Sequence, residues 1–323
     1  MMNYTRRFML GVAAAALTLT ALPAMAQDYP SKSVTIVVSY AAGGGTDAIA
    51  RIFASQLEKS LGGRVIVENR PGAAANLGTD VVAKAQPDGY TLLIGNQGPM
   101  VVNPHIFKLR NDPAETLDPI AMIADAQLVV VAGPNLQVDS MKGLLDKAKE
   151  GELVYGSAGN ASASHVATLL LGQMADVKLK HVPYKGAGPA INDLLGGHVD
   201  FMVTTVPSVI GLIQDGSLKA LAVTGKERFS GLPDVPTVAE AALPDYSATA
   251  WYGLLGPKGL PQDVRDKLAA ATQEALADPA FIESLTKDGG VPSHLVGQDF
   301  ADFMAAERTR WGEVVKAADI KVE

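Results

Sequence analysis

The chain has no cysteine, so it can form neither a disulfide nor a lipid-bearing thioether, and burial alone must hold it together. It also lacks an excess of basic charge. Its 27 Lys and Arg stand against 34 Asp and Glu, a formal −7, which argues against nucleic acid or an anionic membrane surface as a partner. Beyond the N-terminal segment, no stretch reaches the roughly 18 apolar residues that a membrane span requires. There is no internal repeat, low-complexity run or flexible linker. His105, His165, His181, His198 and His294 are scattered without ligand spacing, so no metal and no cofactor is expected.

Catalytic signatures are missing as well. Gly156-Ser157-Ala158-Gly159 would need a glycine at Tyr155 to form a nucleophile elbow. Gly43-Gly44-Gly45 runs into Thr46-Asp47 and completes neither a phosphate-binding nor a dinucleotide-binding loop. The chain reads as a binding protein rather than an enzyme. A hydrolase that pairs Ser157 with His165 is the enzymatic alternative.

What is present begins with an export signal. Arg6 and Arg7 precede an apolar stretch over 8–22, and Ala24-Met25-Ala26 supplies a cleavage site before Gln27. Residues 1–26 are therefore expected to be removed, and Thr5-Arg6-Arg7-Phe8-Met9-Leu10 leaves the twin-arginine route open beside the general one. Either route ends in the periplasm. About 300 residues then remain, long for one core and natural for two domains of roughly 150.

Short β-branched runs at 34–39, 64–68, 90–94, 128–132, 153–157, 179–182, 199–204 and 219–224 alternate with helical segments. This is the mark of an α/β fold with largely parallel sheets. The tail differs, with amphipathic helices marked by Val264, Leu268, Ala271 and Ala275 and by Phe300, Phe303, Met304 and Trp311, and no strand expected between them. A strand over 248–255 and the stretch 119–132 are the candidates for crossing between lobes.

Two strands run into loops of small residues that open helices: Tyr40 into Ala41-Ala42-Gly43-Gly44-Gly45-Thr46-Asp47, and Ser157 into Ala158-Gly159-Asn160-Ala161-Ser162-Ala163-Ser164-His165. Neither loop carries Lys or Arg. Free N–H groups at a helix start, backed by the helix dipole, attract an anion. Two such loops facing each other would hold a small carboxylate.

Further motifs follow in order: Val67-Glu68-Asn69-Arg70-Pro71-Gly72-Ala73, Pro87-Asp88-Gly89-Tyr90, His181-Val182-Pro183-Tyr184-Lys185-Gly186, Pro233-Asp234-Val235-Pro236-Thr237 and Trp251-Tyr252-Gly253-Leu254. Together with the two loops, this series resembles the extracytoplasmic receptors of tripartite tricarboxylate transporters, the Bug-type receptors, over essentially the whole mature chain. The resemblance implies a type II periplasmic-binding-protein fold, with two α/β lobes joined by two crossing strands around a ligand cleft. The lobes would comprise 27–125 with 248–323, and 126–247. It also implies a di- or tricarboxylate or an acidic amino acid as ligand and a membrane permease of that transporter type as partner; the chain itself is expected to be a monomer. A sensor-kinase outer domain is the alternative partner.

Carried onto this chain, the contacts fall on Tyr40, Ala42, Gly43, Thr46 and Asp47 from one lobe, and on Ser157, Ala158, Gly159, Ser162 and His165 from the other. Asn96 joins them because it follows a strand at the carboxyl end, where clefts of open α/β sheets bind ligands. Thr46 and Ser162 offer hydroxyls with no charge to desolvate. Asp47 would repel a carboxylate, and its reading is capping or shaping of the loop. His165, near a helix start, is expected neutral, as a donor to the ligand or as a cap. Arg70 reads as structural, and Lys185 as the cation in reserve. Where relatives carry glycine this chain has Ala74, Ala75, Ala161 and Ala242, and Ala161 would be strained if its φ had to be positive.

Overall fold

The structure is a computed structural model, and it describes residues 29–317. The expected signal over 1–26 lies outside the described residues. The first lobe is built on β1 (Val34–Val38), β2 (Val65–Asn69) and β3 (Thr91–Asn96), with α1 (Gly45–Leu61) and α2 (Asn76–Ala83) as crossovers. β1 pairs in parallel with both β2 and β3. Ile36 and Val38 face Ile49, Phe53 and Leu57 of α1, while Val37 on the opposite face joins Leu93, Trp251 and Phe300. A sheet covered on both faces explains the unbroken apolar run of this strand. α1 stops at Gly62 with φ 67°, a left-handed cap that glycine adopts without strain.

β4 (Leu117–Ala132) then carries the chain across. Residues Leu117 to Gln127 pair with β9 (Thr249–Pro257) in the first sheet, and Leu128 to Ala132 pair with β7 (Phe201–Thr205) in the second. The second lobe repeats the plan with α3 (Met141–Glu150), β5 (Leu153–Ser157), α4 (Ala163–Ala175), β6 (Leu179–Pro183), α5 (Ala187–Leu195), α6 (Val206–Gln214) and β8 (Lys219–Val223). Leu128 and Val130 pack on Tyr155, Leu171 and Phe201 on one side of this sheet, and Val129 and Val131 pack on Ile191, Leu194 and Val209 on the other. β9 returns the chain, with the Ala248 amide donating to Thr224 at the crossing.

Two expectations need correction. The sheets are mixed: β1–β2, β1–β3, β5–β6 and β5–β7 are parallel, but β4 and β9 run antiparallel to their neighbours. A crossing strand enters its sheet from the other lobe, without the helical crossover that parallel pairing requires. The tail also contains a strand, β10 (Gly290–Pro292), between α7 (Gln262–Ala277) with α8 (Pro279–Lys287) and α9 (Gln298–Ala317), and it pairs with Ala124 to Ala126. Three residues are too few to show a period of two. α7 and α8 return to the first lobe beside Phe53 and Leu57, and α9 covers the other face beside Trp251.

Candidate functional site

The carboxyl ends of β1 and β5 point at each other across the seam between the lobes, and the loops that follow them open α1 and α4. Between them lies a cavity of about 40 Å³. Four helix openings reach it: Gly44 to Thr46 at the start of α1, Ser162 to Ser164 at α4, Ala187 at α5, and Thr205 with Ser208 at α6. The remaining wall comes from Tyr40, Asn96, Ala158, Thr204, Ala250 and Tyr252, so no charged side chain lines the cavity. The N–H groups of Thr46 and Ala163 have no protein acceptor among the described residues. Four positive dipole ends, two of them with an unpaired N–H donor, and no competing carboxylate suit a small anion.

The seam is shut by direct contacts. Ala41 N–H donates to the Lys185 carbonyl at 2.9 Å, and Gly45 N–H donates to Ser208 Oγ at 2.7 Å. Two glycines make this approach possible. A Cβ on Gly45 would lie 2.3 Å from Thr205 Oγ1, and one on Gly188 would lie 2.3 Å from the Ala42 carbonyl oxygen.

Around the cavity Asn96 orders the hydroxyls: its Nδ2 donates to Thr46 Oγ1 at 3.0 Å, and its Oδ1 accepts from the Tyr40 hydroxyl at 3.3 Å. The Tyr252 hydroxyl is buried without a well-formed hydrogen bond. Burial pushes its phenol up to about 12, with only the Thr205 hydroxyl opposing, so it keeps its proton and remains a donor.

Asp47 is turned away from the cavity. Its carboxylate accepts from Gly43 N–H at 3.1 Å, Asn69 Nδ2 at 3.0 Å and Arg51 Nε at 3.1 Å. Burial opposes its ionisation, but Arg51, the Gly43 amide and Asn69 together outweigh that and hold the carboxyl below its usual range. It therefore braces the loop, and Ala42 and Gly43 lie exposed at the rim. Arg70 pairs with Glu68 at 2.5 Å and plays no part in the cavity.

The second loop is held by different means. Ser162 caps α4, accepting from His165 N–H at 3.3 Å while donating to the Gly159 carbonyl at 2.7 Å. Ala161 does adopt positive φ, at 60°. Its amide donates to His165 Nδ1 at 3.0 Å, which leaves the ring proton on Nε2. That ring turns away from the cavity and stacks on His181 with centroids 4.0 Å apart, and His181 stacks in turn on Tyr155 at 4.8 Å. Burial, with His181 adding, lowers the His165 pKa to about 3, and burial lowers that of His181 to about 4. Both are neutral near pH 7.

Ser157 is fully buried, and its hydroxyl lies 2.6 Å from His181 Nε2. The hydroxyl therefore meets His181 and not His165, the partner that the enzymatic alternative would need, because β6 runs beside β5 and places Tyr155 opposite His181. Of the residues named from the sequence, Tyr40, Thr46, Asn96, Ala158 and Ser162 line the cavity. Asp47, Ser157, Gly159 and His165 support its loops.

Sequence reasoning missed Gly45, Ser164, Ala187, Thr205, Ser208 and Tyr252. A signal existed for two of them: Thr205-Val206-Pro207-Ser208 carries a threonine followed by proline in the first turn, the usual opening of a helix.

Two α/β lobes on shared crossing strands, closed over an uncharged cavity of helix openings, define a solute-binding receptor of the periplasmic-binding-protein type. The chain belongs to the tripartite tricarboxylate transporter family of receptors, whose family model matches residues 49–320. The protein BugT of Bordetella pertussis is 35% identical over 327 residues, covering 100% of both chains. Among solved structures, R. palustris Rpa4515 with adipate superposes with a TM-score of 0.89 at 32% identity, over 91% of this chain and 99% of that one. MatC (Rpa3494) from Rhodopseudomonas palustris with bound malate gives 0.84 at 32% identity, over 89% and 100%.

Proposed function

We propose that this receptor captures a small organic carboxylate between its lobes and presents the closed form to a permease of the tripartite tricarboxylate type. The observation that carries the reading is the convergence of four helix openings on a cavity without a charged side chain. Open and closed lobes are in equilibrium, and an anion that gains donors from both lobes only on closure shifts that equilibrium by the difference. The ligands printed for the two solved relatives, adipate and malate, are carboxylates and support the same reading. Export to the periplasm with cleavage near Ala26 completes the proposal.

Thermal unfolding of the chain from Gln27 onward, screened against organic acids, tests it. A ligand at one hundred times its Kd stabilises the folded form by about 2.7 kcal/mol, an upward shift of several degrees. No shift with any mono-, di- or tricarboxylate would sink the reading.

A further inference from the structure

Three alanines in a row, Ala73, Ala74 and Ala75, have φ of 49°, 54° and 70°. Left-handed backbone brings Cβ against the following carbonyl oxygen, so L residues visit it singly and at a cost in strain. Among the described residues the other non-glycine cases, Ala161, Asp176 and Asp245, do stand singly. The turn joins β2 to α2, and Asn103 holds it in place. The Asn103 side chain is fully buried, and its Nδ2 donates to the Ala74 carbonyl at 2.8 Å and to Asn76 Oδ1 at 2.7 Å. Its own Oδ1 has no partner, and a buried unpaired acceptor is a second cost at the same place. Local strain of this kind persists only where the surrounding structure imposes it.

What surrounds the turn includes the other lobe. Ala73 and Ala74 share with Asn160 of the second loop the walls of two cavities, one of about 140 Å³ and one of about 460 Å³. The Asn103 clamp reaches the same loop by a different route. Asn103 follows a π-helical turn over Gly98–Val102, a rare form that is frequent at functional sites. A Cβ on Gly98, at the head of that turn, would lie 3.1 Å from the Ala161 carbonyl oxygen and 2.9 Å from the Tyr40 hydroxyl. The strained turn and the segment that clamps it therefore both face residues 160–162 of the second lobe, which come this close only while the seam is shut.

We infer that the 73–75 turn is a spring loaded by closure: the approach of residues 160–162 holds the alanines left-handed in the closed form, and opening lets the turn relax and so favours release of the ligand. This rests on the equilibrium of open and closed lobes in the reading above and adds what opposes closure. Strain equal in both forms would cancel, whereas strain confined to the closed form subtracts from closure and weakens binding by the same factor. The turn has room to relax on its outer side, since Ala73 is exposed and Ala74 half-buried.

Small-angle X-ray scattering of the ligand-free mature chain tests this without reference to any ligand. Wild type should be mostly open. Glycine adopts left-handed φ without strain. The double variant Ala74→Gly, Ala75→Gly should therefore raise the ratio of closed to open molecules by about tenfold, strain relief in both residues outweighing the added freedom of the open turn. Asp176→Gly relieves the same kind of residue at the C-terminal cap of α4, remote from the seam, and should leave the scattering at its wild-type value. A crystal structure of the open form should show at least one of the three alanines at negative φ. Wild-type protein already closed without ligand, a double variant that scatters like wild type, an equal shift in Asp176→Gly, or three left-handed alanines in the open form overturns the inference and leaves the receptor reading intact. That reading fails separately, when no carboxylate stabilises the protein in the thermal screen.

Discussion

The loops that open α1 and α4 do the same work in the two lobes and are held by opposite means. The first is glycine-rich and braced by charge: Asp47 ties together Gly43, Arg51 and Asn69. The second carries alanine where its backbone is left-handed, a serine cap, and a neutral stack of His165, His181 and Tyr155. A cavity of helix openings can therefore be supported by a salt bridge facing away from it or by buried uncharged rings. Neither support puts a charge into the cavity, and the two supports answer differently to pH.

The strongest test of their equivalence damages each loop once. Gly45→Val places a side chain against Thr205 and Tyr252, and Ser162→Asp puts a negative charge at the opening of α4 while remaining a good helix cap. Both should abolish carboxylate binding in calorimetry, the first by blocking closure and the second by repulsion, with unfolding temperatures close to wild type. Retained affinity in Ser162→Asp would remove the second loop from the site.

Next in size is the brace. Asp47→Ala deprives Gly43, Asn69 and Arg51 of their acceptor and should cost about 2 kcal/mol of folding stability, read from the midpoint of urea unfolding.

The pH response separates the loops. Both histidines bind protons more weakly folded than unfolded, so the stability they contribute is complete above pH 6.5 and is lost progressively as pH falls toward their folded values of about 3 and 4. Asp47, also depressed, keeps its contribution in full above the usual carboxylate range and loses it progressively as pH falls through that range and below it. Stability should therefore begin to fall below about pH 6.5, and His165→Gln should flatten that part of the curve. An unchanged curve in the variant would place the titration elsewhere.

The smallest effect is the backbone of the second loop. Ala161→Gly relieves a left-handed residue, a strain of about 1–2 kcal/mol, but frees the unfolded chain by about 0.4–1 kcal/mol. A net gain of about 0.5 kcal/mol is expected in the same unfolding assay.

The local architecture was readable wherever one periodicity or one cap governed it. Ile49, Phe53 and Leu57 announce α1, Gly62 announces its end, and both small-residue loops stand out. β10 was not readable because its three residues carry no pattern, and the direction of β4 and β9 was hidden because pairing partners this distant in the chain leave no local trace. Within the site, Thr46, Ser162 and Tyr40 were visible because they sit in the loops. Ser208 and Tyr252 were not, because each belongs to a segment whose own pattern is that of an ordinary helix or strand.

The sequence alone determined the alternating elements, the lack of covalent cross-links and the two dipole-bearing loops, since each depends on neighbours within a few residues. Tertiary structure decided which groups meet. It brought His181 rather than His165 to Ser157, turned Asp47 away from the cavity onto Gly43, Asn69 and Arg51, and set Ser208 on Gly45. These outcomes depend on how two lobes close over each other, and that geometry is fixed by packing at long range.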